Sequence, residues 1–310
     1  MNFDKNKTLF IDIETTGLTP DISAITVIGC IDFEGKITQW FNKDGFSQEK
    51  ILVDFLNFIK NYTTLITFNG TTFDLPFLKY KIKEYHLEKS LDAFLHYDLY
   101  RILRPYRHLF PMTSFRQAAL EQYLEIQRQD HLSGKQLIKR YQSYLESGST
   151  EEKEAILLHN REDLSGLLAI SSLLCYPALL EGSFFIKEPM LIDDVLQISF
   201  SFKKKFPKKA YFHRDQLKLT ISGYDGILIC PLEHGILKHY HPNPKDYFYL
   251  PREDIVIPKS MGTFVEKNCR LPADSSHCYS KFQPGENFLS DTEALYTFCK
   301  DTIYYLLRKD

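Results

Sequence analysis

Two carboxylates placed two positions apart in an apolar stretch are the residues of this chain best suited to chemistry. Asp12 and Glu14 lie in and directly after an apolar run from Leu9 to Ile13. An almost continuous apolar run predicts a buried strand. Side chains alternate across a strand, so both acids point to one face with Cα atoms about 6–7 Å apart. Because two buried carboxylates repel each other unless a positive charge lies between them, the pair predicts a divalent cation site.

A third acid, Asp74, follows a different predicted strand at residues 65–68. The loop that begins at Asn69 leads into a predicted helix whose first turn contains Pro76. An Asp at such a position commonly caps the helix. The residue alone therefore permits two interpretations: a helix cap, or a third carboxylate of the cation site.

A histidine and an acid four positions apart, His159 and Asp163, lie in a predicted long helix. Residues at this spacing share a helix face, with Cβ atoms about 5–6 Å apart. The polar residues 160–162 between them are compatible with a solvated face, but the leucines that flank Asp163 indicate a deeply packed helix. We therefore expect both side chains to line a cleft.

Together these residues predict a two-metal site. Its carboxylates are Asp12, Glu14, Asp74 and Asp163. Carboxylate oxygens are the ligands that Mg²⁺ prefers, and Mn²⁺ accepts the same ligands. Two such cations about 3.5–4 Å apart stabilise the attacking and the leaving oxygen of an in-line displacement at phosphorus. The imidazole of His159, with a pKa near neutrality, is able to take the proton of an attacking water.

The elements that must position these residues alternate between strands and helices. Strands are predicted at 24–31 and 37–41 around a hairpin turn at 34–35, and they would form an antiparallel meander with the first strand. The remaining predicted elements are helices at 47–61, 74–85, 114–124, 133–145 and 150–174, with a short strand at 94–99. This order predicts an α/β fold with a mixed β-sheet flanked by helices.

The chain changes character after residue 182. Short strands are predicted at 196–202, 216–221, 226–231, 235–240 and 247–250, and a helix returns only at 291–307. We therefore expect one domain at 1–182 and a small β-rich accessory domain at 183–310. Five lysines among residues 203–209 are typical of a solvated hairpin tip, and alternatively of a contact to a nucleic-acid backbone.

The bulk composition is that of a soluble globular protein. The 310 residues are 44% hydrophobic and 25% charged, and the formal net charge of -2 does not by itself indicate a nucleic-acid binder. Six cysteines without a CxxC pair fit a reduced, intracellular protein, and the N-terminal residues lack the apolar core of a signal peptide. The longest uncharged run, 164–180, is interrupted by Ser, Gly and Pro. We read this run as a core helix rather than a membrane span, and expect a cytoplasmic protein.

Three motifs in this order resemble those of the DEDD-type 3′–5′ exonucleases of the ribonuclease H-like superfamily, which include the proofreading exonucleases of DNA polymerases. The first motif is Asp-Ile-Glu-Thr-Thr-Gly-Leu at 12–18, the second runs over 69–74, and the third over 159–163. The resemblance covers roughly residues 7–180. Each motif is moderately specific, and the three in order are more specific than any one.

The third motif departs from the family pattern. In these exonucleases a histidine usually has four residues between it and the acid, whereas a tyrosine has three. Here three residues separate His159 from Asp163, which is the tyrosine spacing. In this respect the chain is similar to an uncharacterised bacterial group of predicted ribonuclease H-like exonucleases.

The resemblance implies roles for individual residues. It implies two divalent cations, Mg²⁺ or Mn²⁺, held by the four carboxylates, with His159 as general base. It further implies that the terminal nucleotide is bound by Thr15, Thr16, Gly17, Leu18, Asn69 and Phe73. The implied activity is 3′–5′ exonucleolytic hydrolysis of DNA or RNA, and the implied partner is a nucleic acid with a 3′ end, with no membrane involved.

Two alternatives remain open on the sequence. One is a structure-specific endonuclease of the same fold. The other is a catalytically silent nucleic-acid-binding scaffold protein, because a fold does not guarantee an activity. Four clustered negative charges argue against the scaffold, since they would repel phosphates without contributing to binding.

Overall fold

The computed structural model describes residues 3–309, and the chain divides into two compact units between Leu174 and Cys175. The first unit contains β1 (Thr8–Thr15), β2 (Ile25–Ile31), β3 (Ile37–Phe41), α1 (Gln48–Ile59), β4 (Thr64–Thr67), α2 (Asp74–Glu84), β5 (Leu95–Asp98), α3 (Leu99–Leu103), α4 (Gln117–Tyr123), α5 (Gly134–Ser147) and α6 (Thr150–Ile170).

The first unit is built on a mixed sheet with the strand order β3-β2-β1-β4-β5. The strands β1, β2 and β3 form an antiparallel meander, while β4 pairs in parallel with both β1 and β5. The predicted α/β class, with a mixed sheet flanked by helices, is confirmed. The predicted meander is present as well.

Strand β1 separates the apolar core from the acidic face. Ile11 and Ile13 belong to a buried cluster that also contains side chains of α1 and α2. The acids Asp12 and Glu14 alternate with these residues and therefore face the other side of the sheet. Helix α6 packs against β1, β2 and β3. One long helix thus lies close to the strand that carries both acids.

The stretch from Thr150 to Leu180 is long and apolar enough to cross a membrane by length and composition. Of its most apolar window, 56% is buried inside the protein. A core helix passes the same test, so this stretch is weak support for a membrane span. Within it, Ile156, Leu164 and Leu167 of α6 are buried.

The second unit is rich in β-structure, as predicted. It contains α7 (Cys175–Leu180), β6 (Phe184–Ile192), β7 (Val195–Phe202), β8 (Ala210–Arg214), β9 (Leu217–Ser222), β10 (Asp225–Pro231), β11 (Leu237–Tyr240), β12 (Tyr247–Leu250), β13 (Ile255–Pro258), β14 (Leu271–Pro272), β15 (Tyr279–Phe282), α8 (Glu286–Ser290) and α9 (Thr292–Leu307).

An antiparallel sheet of five strands, in the order β6-β7-β10-β9-β8, forms the body of this unit. Alternate residues of β7, such as Ile198 and Phe200, are buried. Two smaller sheets pair β11 with β15, and β12 with β13 and β14. The terminal helix α9 packs against β6, β8, β9 and β11.

Candidate active site

Strand β1 presents two of the predicted site residues on one face. Asp12 pairs with Gly29 of β2, and Glu14 pairs with Val27. Both acidic side chains are half-buried, whereas Ile13 between them is only 4% exposed. The alternation predicted from the sequence is therefore the arrangement in the structure.

Asp74 is brought to the same strand from the start of α2. Its side chain is buried, and Oδ1 accepts a hydrogen bond of 3.2 Å from the backbone N–H of Ile13. The N-cap position of α2 is taken by Phe73 rather than by Asp74. The helix-cap interpretation of Asp74 is therefore wrong, because its carboxylate bonds to β1, 61 residues away in sequence.

The loop that carries Asp74 is held by a buried acid that the sequence did not single out. Asp98 lies at the end of β5 and accepts hydrogen bonds from the backbone N–H groups of Asn69 (2.8 Å) and Thr71 (3.1 Å). It also caps α3 by accepting from Tyr100 and Arg101. An Asp between a strand and a helix indicates a helix N-cap in the sequence. Its bonds to the loop cannot be predicted in this way, because they depend on the parallel pairing of β4 and β5.

Helix α6 brings His159 and Asp163 to the acids of β1. The Nε2 atom of His159 lies 3.2 Å from Asp163 Oδ2 and 3.8 Å from Glu14 Oε1. Among the described residues, Glu14, His159 and Asp163 form a group whose potential ligand atoms all lie within 4.8 Å of one another. The shared helix face expected for this pair is therefore present.

The opposite edge of the imidazole faces a further carboxylate. The Nδ1 atom of His159 lies 2.5 Å from Oδ2 of Asp130, which is 8% exposed. Asp130 lies in the segment between α4 and α5, and its backbone N–H donates to Glu162. The sequence did not indicate Asp130, because nothing local shows that this segment folds back onto α6.

Asn160 is a second residue that the sequence analysis missed. It is fully buried, so the solvated interpretation of this position is wrong. Its Nδ2 atom donates to Asp12 Oδ2 (2.8 Å), and its Oδ1 accepts from Gln39 (2.8 Å). A Cβ atom at Gly29 would lie 2.1 Å from this same Oδ1. A glycine opposite Asp12 therefore permits α6 to approach closely enough to orient the Asp12 carboxylate.

Arg128 inserts a permanent positive charge among the acids. Its Nη1 atom lies 2.6 Å from Asp163 Oδ1 and 3.1 Å from Glu121 Oε2. Its Nε atom lies 3.5 Å from Glu162 Oε2. Although burial alone would raise the pKa of Asp163, the bonds and charges of His159 and Arg128 lower it below its usual value.

The pKa values of the other three carboxylates are raised rather than lowered. Burial raises the pKa of Asp12 well above its usual value, and the negative charges of Glu14, Asp163 and Asp74 raise it further. Burial likewise raises the pKa of Glu14 to about 8 and that of Asp74 to about 7. The four carboxylates therefore lie close enough to repel one another, and the cluster is short of positive charge.

This donor set suits a hard divalent cation. Carboxylate oxygens from two elements besides β1 converge on a region where negative charge is destabilised by burial and by like charges. A divalent cation would relieve both costs and would take these oxygens as ligands. The match rests on the chemistry of the donors.

The first motif continues into a tight turn after β1. Thr15 donates from its hydroxyl to the carbonyl of Gly17 (2.6 Å), and Thr16 exchanges backbone and side-chain bonds with Ala24. Leu18 follows at the surface with 82% of its area exposed. This leucine is therefore not part of the apolar core.

The second motif forms the loop before α2. Asn69 has a positive φ of 61° and accepts from the hydroxyl of Thr72, both at its carbonyl (2.9 Å) and at Oδ1 (3.0 Å). Phe73 packs partly against the apolar core and lies 5.8 Å from Phe77, ring to ring. Asn69 and Phe73 thus precede Asp74 on the loop whose backbone N–H groups donate to Asp98.

The lysine run at 203–209 belongs to the second unit, between β7 and β8. Lys203 is exposed, and its ammonium lies 5.3 Å from the ring centroid of Phe185. Phe206 within the run is buried. The run is therefore anchored at one aromatic residue and carries its charges on a turn.

Comparison with known proteins was made on sequence and on fold. The model of a family described as the RNase H superfamily matches residues 9–175, more than half of the chain. No curated protein matches significantly.

Among solved structures, a family B DNA polymerase from the hyperthermophilic archaeon Pyrobaculum calidifontis aligns over 56% of this chain with 14% identity and a TM-score of 0.46. This chain covers 25% of that polymerase chain. A structure described as the apo form of a nuclease aligns over 57% of this chain and 76% of its own, with 18% identity and a TM-score of 0.37. Neither likeness bears on function.

The family match spans every element that carries the acidic cluster. It begins at Leu9 in β1, includes Asp74 and the loop before it, and extends beyond Asp163 in α6. Nucleases of this superfamily act on nucleic acids and generally use divalent cations, which agrees with the donor set. The chain belongs to the RNase H superfamily.

Proposed function

We propose that this protein is a divalent-metal-dependent 3′–5′ exonuclease of the DEDD type, hydrolysing phosphodiester bonds at the 3′ ends of DNA or RNA. The observation that carries the proposal is the convergence of four carboxylates from β1, the start of α2 and α6. Burial and mutual repulsion raise the pKa of three of them: Asp12, Glu14 and Asp74. A protein gains nothing from such a cluster unless a cation compensates it.

Asp12, Glu14, Asp74 and Asp163 are the proposed ligands of two Mg²⁺ or Mn²⁺ ions. When bound, the ions would neutralise charge on the reacting phosphate and its attacking and leaving oxygens. The protein's own part is to fix the ligands. Asn160 holds one oxygen of Asp12, and the Ile13 N–H holds one oxygen of Asp74.

His159 is the proposed general base. Its Nδ1 faces Asp130, which favours a proton on that nitrogen. In the metal-free protein Nε2 lies 3.2 Å from Asp163 and near Glu14, and these acids raise the pKa of the ring to about 9, so Nε2 carries a proton. Once cations hold these carboxylates, Nε2 would be free to accept a proton. A base whose available nitrogen faces the proposed ligands is placed to take a proton from a water attacking phosphorus.

The terminal nucleotide would bind beside these acids. Thr15, Thr16 and Gly17 offer backbone groups in a constrained turn, and the exposed Leu18 offers an apolar surface for a base or sugar. Asn69 and Phe73 lie on the loop that carries Asp74. Their positions support, for this proposal, the roles that the motif resemblance implies.

The test is degradation of 5′-labelled single-stranded DNA and RNA with Mg²⁺ or Mn²⁺. We expect a ladder of products shortened from the 3′ end, and a loss of at least about 100-fold in rate for Asp12→Asn and for Asp163→Asn. Asp92→Asn is the matched control, because that acid is exposed and contacts Lys79 and Ser90 at the surface.

Three results would contradict the proposal. Cutting of closed circular substrates by the wild type, lost in Asp12→Asn, would indicate an endonuclease instead. Tight binding of nucleic acid with no products in either metal would indicate a silent scaffold. Activity that survives in both Asp12→Asn and Asp163→Asn would place the reaction elsewhere.

A further inference from the structure

A second group of metal-binding side chains lies in the C-terminal unit. His239 belongs to β11, and His241 directly follows that strand. Asp301 lies on α9, which packs against β11. The potential ligand atoms of these three side chains all lie within 4.8 Å of one another. A strand and a helix more than fifty residues apart in sequence thus contribute to one compact His–His–Asp group.

The backbone explains why the two histidines lie together. Side chains two positions apart on extended backbone point to the same side. His239 pairs with Ser280 of β15, and the N–H of His241 donates to the Cys278 carbonyl (2.8 Å), which continues the ladder beyond the strand. The two imidazole rings lie 4.9 Å apart. This pairing fixes both rings on the side of the ladder that meets α9.

The side chains are already oriented by polar and ring contacts. His239 Nε2 lies 2.9 Å from Asp301 Oδ2, and His241 Nε2 lies 3.2 Å from Ser280 Oγ. The ring of His241 stacks on Tyr247 with centroids 4.8 Å apart. All three members of the group are half-buried. Their arrangement is therefore constrained, yet still within reach of solvent.

His239 lies beside an opening at the surface. A surface pocket of about 340 Å³, lined by His239, Phe282 and Phe288, provides an entry path on one side.

We propose that His239, His241 and Asp301 form a binding site for a Zn²⁺-class divalent ion that ties β11 to α9. Two imidazole nitrogens and one carboxylate oxygen are a donor set that Zn²⁺ accepts, whereas Mg²⁺ prefers oxygen ligands alone. Three protein ligands leave one position of a tetrahedral ion for water or for Ser280. The site is separate in donor chemistry from the carboxylate cluster of the first unit.

The test is titration of the metal-free, full-length protein with Zn²⁺ by calorimetry, and with Co²⁺ by visible absorption. The probe is the metal alone. We expect one tight equivalent at this site, in addition to any ions taken by the carboxylate cluster, and the d–d bands of histidine-ligated Co²⁺ in the wild type. The affinity for Zn²⁺ and for Co²⁺ should fall at least about tenfold in His239→Ala and in Asp301→Asn. Asp301→Asn keeps the shape of the side chain, so it remains informative should His239→Ala fold poorly.

Two further variants make the outcome decisive. His213→Ala removes an exposed histidine of the same unit and should bind Zn²⁺ as the wild type does. Asp12→Asn should also keep this binding, and Zn²⁺ should raise the melting temperature of the wild type but not of Asp301→Asn. Unchanged Zn²⁺ affinity in both His239→Ala and Asp301→Asn would overturn the site, as would binding that disappears in Asp12→Asn.

Discussion

The Nδ1 atom of His159 lies 2.5 Å from Oδ2 of Asp130, while the Nε2 atom of the same ring faces Glu14 and Asp163. A ring held from one edge by a buried acid cannot turn its other nitrogen away from the carboxylate cluster without losing that contact. Asp130 is therefore a positioning residue for His159. On the proposed mechanism it would act through the imidazole and not on the substrate.

Replacing Asp130 tests this role. Asp130→Asn keeps the side chain's size and an oxygen acceptor for the backbone N–H of Leu132. It removes the charge that favours a proton on Nδ1. Loss of such an orienting partner typically costs 10–100-fold in function. We expect kcat for 3′-end hydrolysis to fall about 10–100-fold with little change in KM.

Steady-state kinetics on a short labelled strand measure this split between kcat and KM. His131→Ala is the matched control, because it changes an exposed neighbour on the same segment. A wild-type kcat in Asp130→Asn would show that the Asp130 contact only supports the fold. A rise in KM alone would show that Asp130 serves substrate binding.

The sequence predicted the parts of this site that depend on local pattern. The alternation of β1 and the i, i+4 spacing on α6 placed Asp12, Glu14, His159 and Asp163 on the correct faces. Asn160 could not be recognised, because its role depends on a hydrogen bond to Asp12, 148 residues away. A polar residue between His159 and Asp163 has no local signal that distinguishes burial from solvation.

Two edge strands of the second unit, β6 and β8, could not be predicted from the sequence for physical reasons. Strand β6 is an edge strand that contains Pro189, and its pairing with β7 shifts register between Ile186 and Glu188. Proline and a bulge are tolerated at a sheet edge, but they remove the alternating pattern by which a strand is recognised. Strand β8 lies at the other edge and buries only Ala210.

Gly29 provides a test of the packing that orients Asp12. In Gly29→Ala the new Cβ would lie 2.1 Å from Asn160 Oδ1 and 2.7 Å from Leu164 Cδ1. Asn160 cannot move aside freely, because it is fully buried and bonded to Asp12 and Gln39. Overpacking of this kind costs about 1–3 kcal/mol in the free energy of unfolding. We also expect a lower hydrolysis rate, because α6 carries both Asn160 and Asp163.

Urea unfolding and the nuclease assay measure the two effects of Gly29→Ala. Gly134→Ala is the control, since a Cβ there meets no atom within 4 Å and the residue begins α5. That change should leave stability equal or raise it by about 0.4–1 kcal/mol. Equal stability of Gly29→Ala and Gly134→Ala would mean that α6 does not need this close approach.

The acidic cluster predicts how pH acts on the metal-free protein. Burial raises the pKa of Glu14 to about 8 and of Asp74 to about 7, from usual values of 4.5 and 3.8. Between the usual and the raised values, the folded state holds protons that the unfolded state has released. The free energy of unfolding must then fall as pH rises through this window.

His159 acts in the same direction at the upper end of this window. Burial alone would lower its pKa, but the hydrogen bond with Asp163 and the charge of Glu14 raise it to about 9. Its stabilising contribution is therefore complete below its usual pKa of 6.5 and is lost as pH rises toward 9. The lowered pKa of Asp163 acts with the opposite sign, but only below its usual value of 3.8.

Melting temperatures at a series of pH values, with chelator and with excess Mg²⁺ or Mn²⁺, test this expectation. Without metal, the melting temperature should fall from about pH 5 to about pH 8. At each pH the metal should raise the melting temperature relative to the metal-free protein. This increase should be larger at higher pH, because the cations replace the protons. Glu14→Gln should flatten the metal-free slope. A metal-free slope that is the same in Glu14→Gln and the wild type would contradict the assignment of the titration to this cluster.

Arg128 is expected to be the residue whose loss destabilises the first unit most through charge. Its guanidinium contacts Asp163 at 2.6 Å and Glu121 at 3.1 Å, and Glu121 is 1% exposed. Arg128→Ala would leave a buried carboxylate without its cation, which costs about 3–5 kcal/mol in unfolding free energy. Arg128→Lys should lose less than Arg128→Ala, because it keeps the charge. It should still lose some stability, because one ammonium cannot reproduce the contacts of Nη1 and Nε with the three acids.

Urea unfolding of these variants and of Arg140→Ala distinguishes the contribution of burial to stability from that of charge pairing alone. Arg140 pairs with Glu152 at 2.7 Å, but the two side chains are 35% and 27% exposed. Loss of such a pair costs about 0–1 kcal/mol. The ion-pair distances of Arg128 and Arg140 are almost equal, so distance alone predicts equal losses, whereas desolvation predicts a several-fold larger loss for Arg128→Ala. Equal losses would show that solvent reaches Glu121 in solution, and that Arg128 is not needed to compensate the acids beside α6.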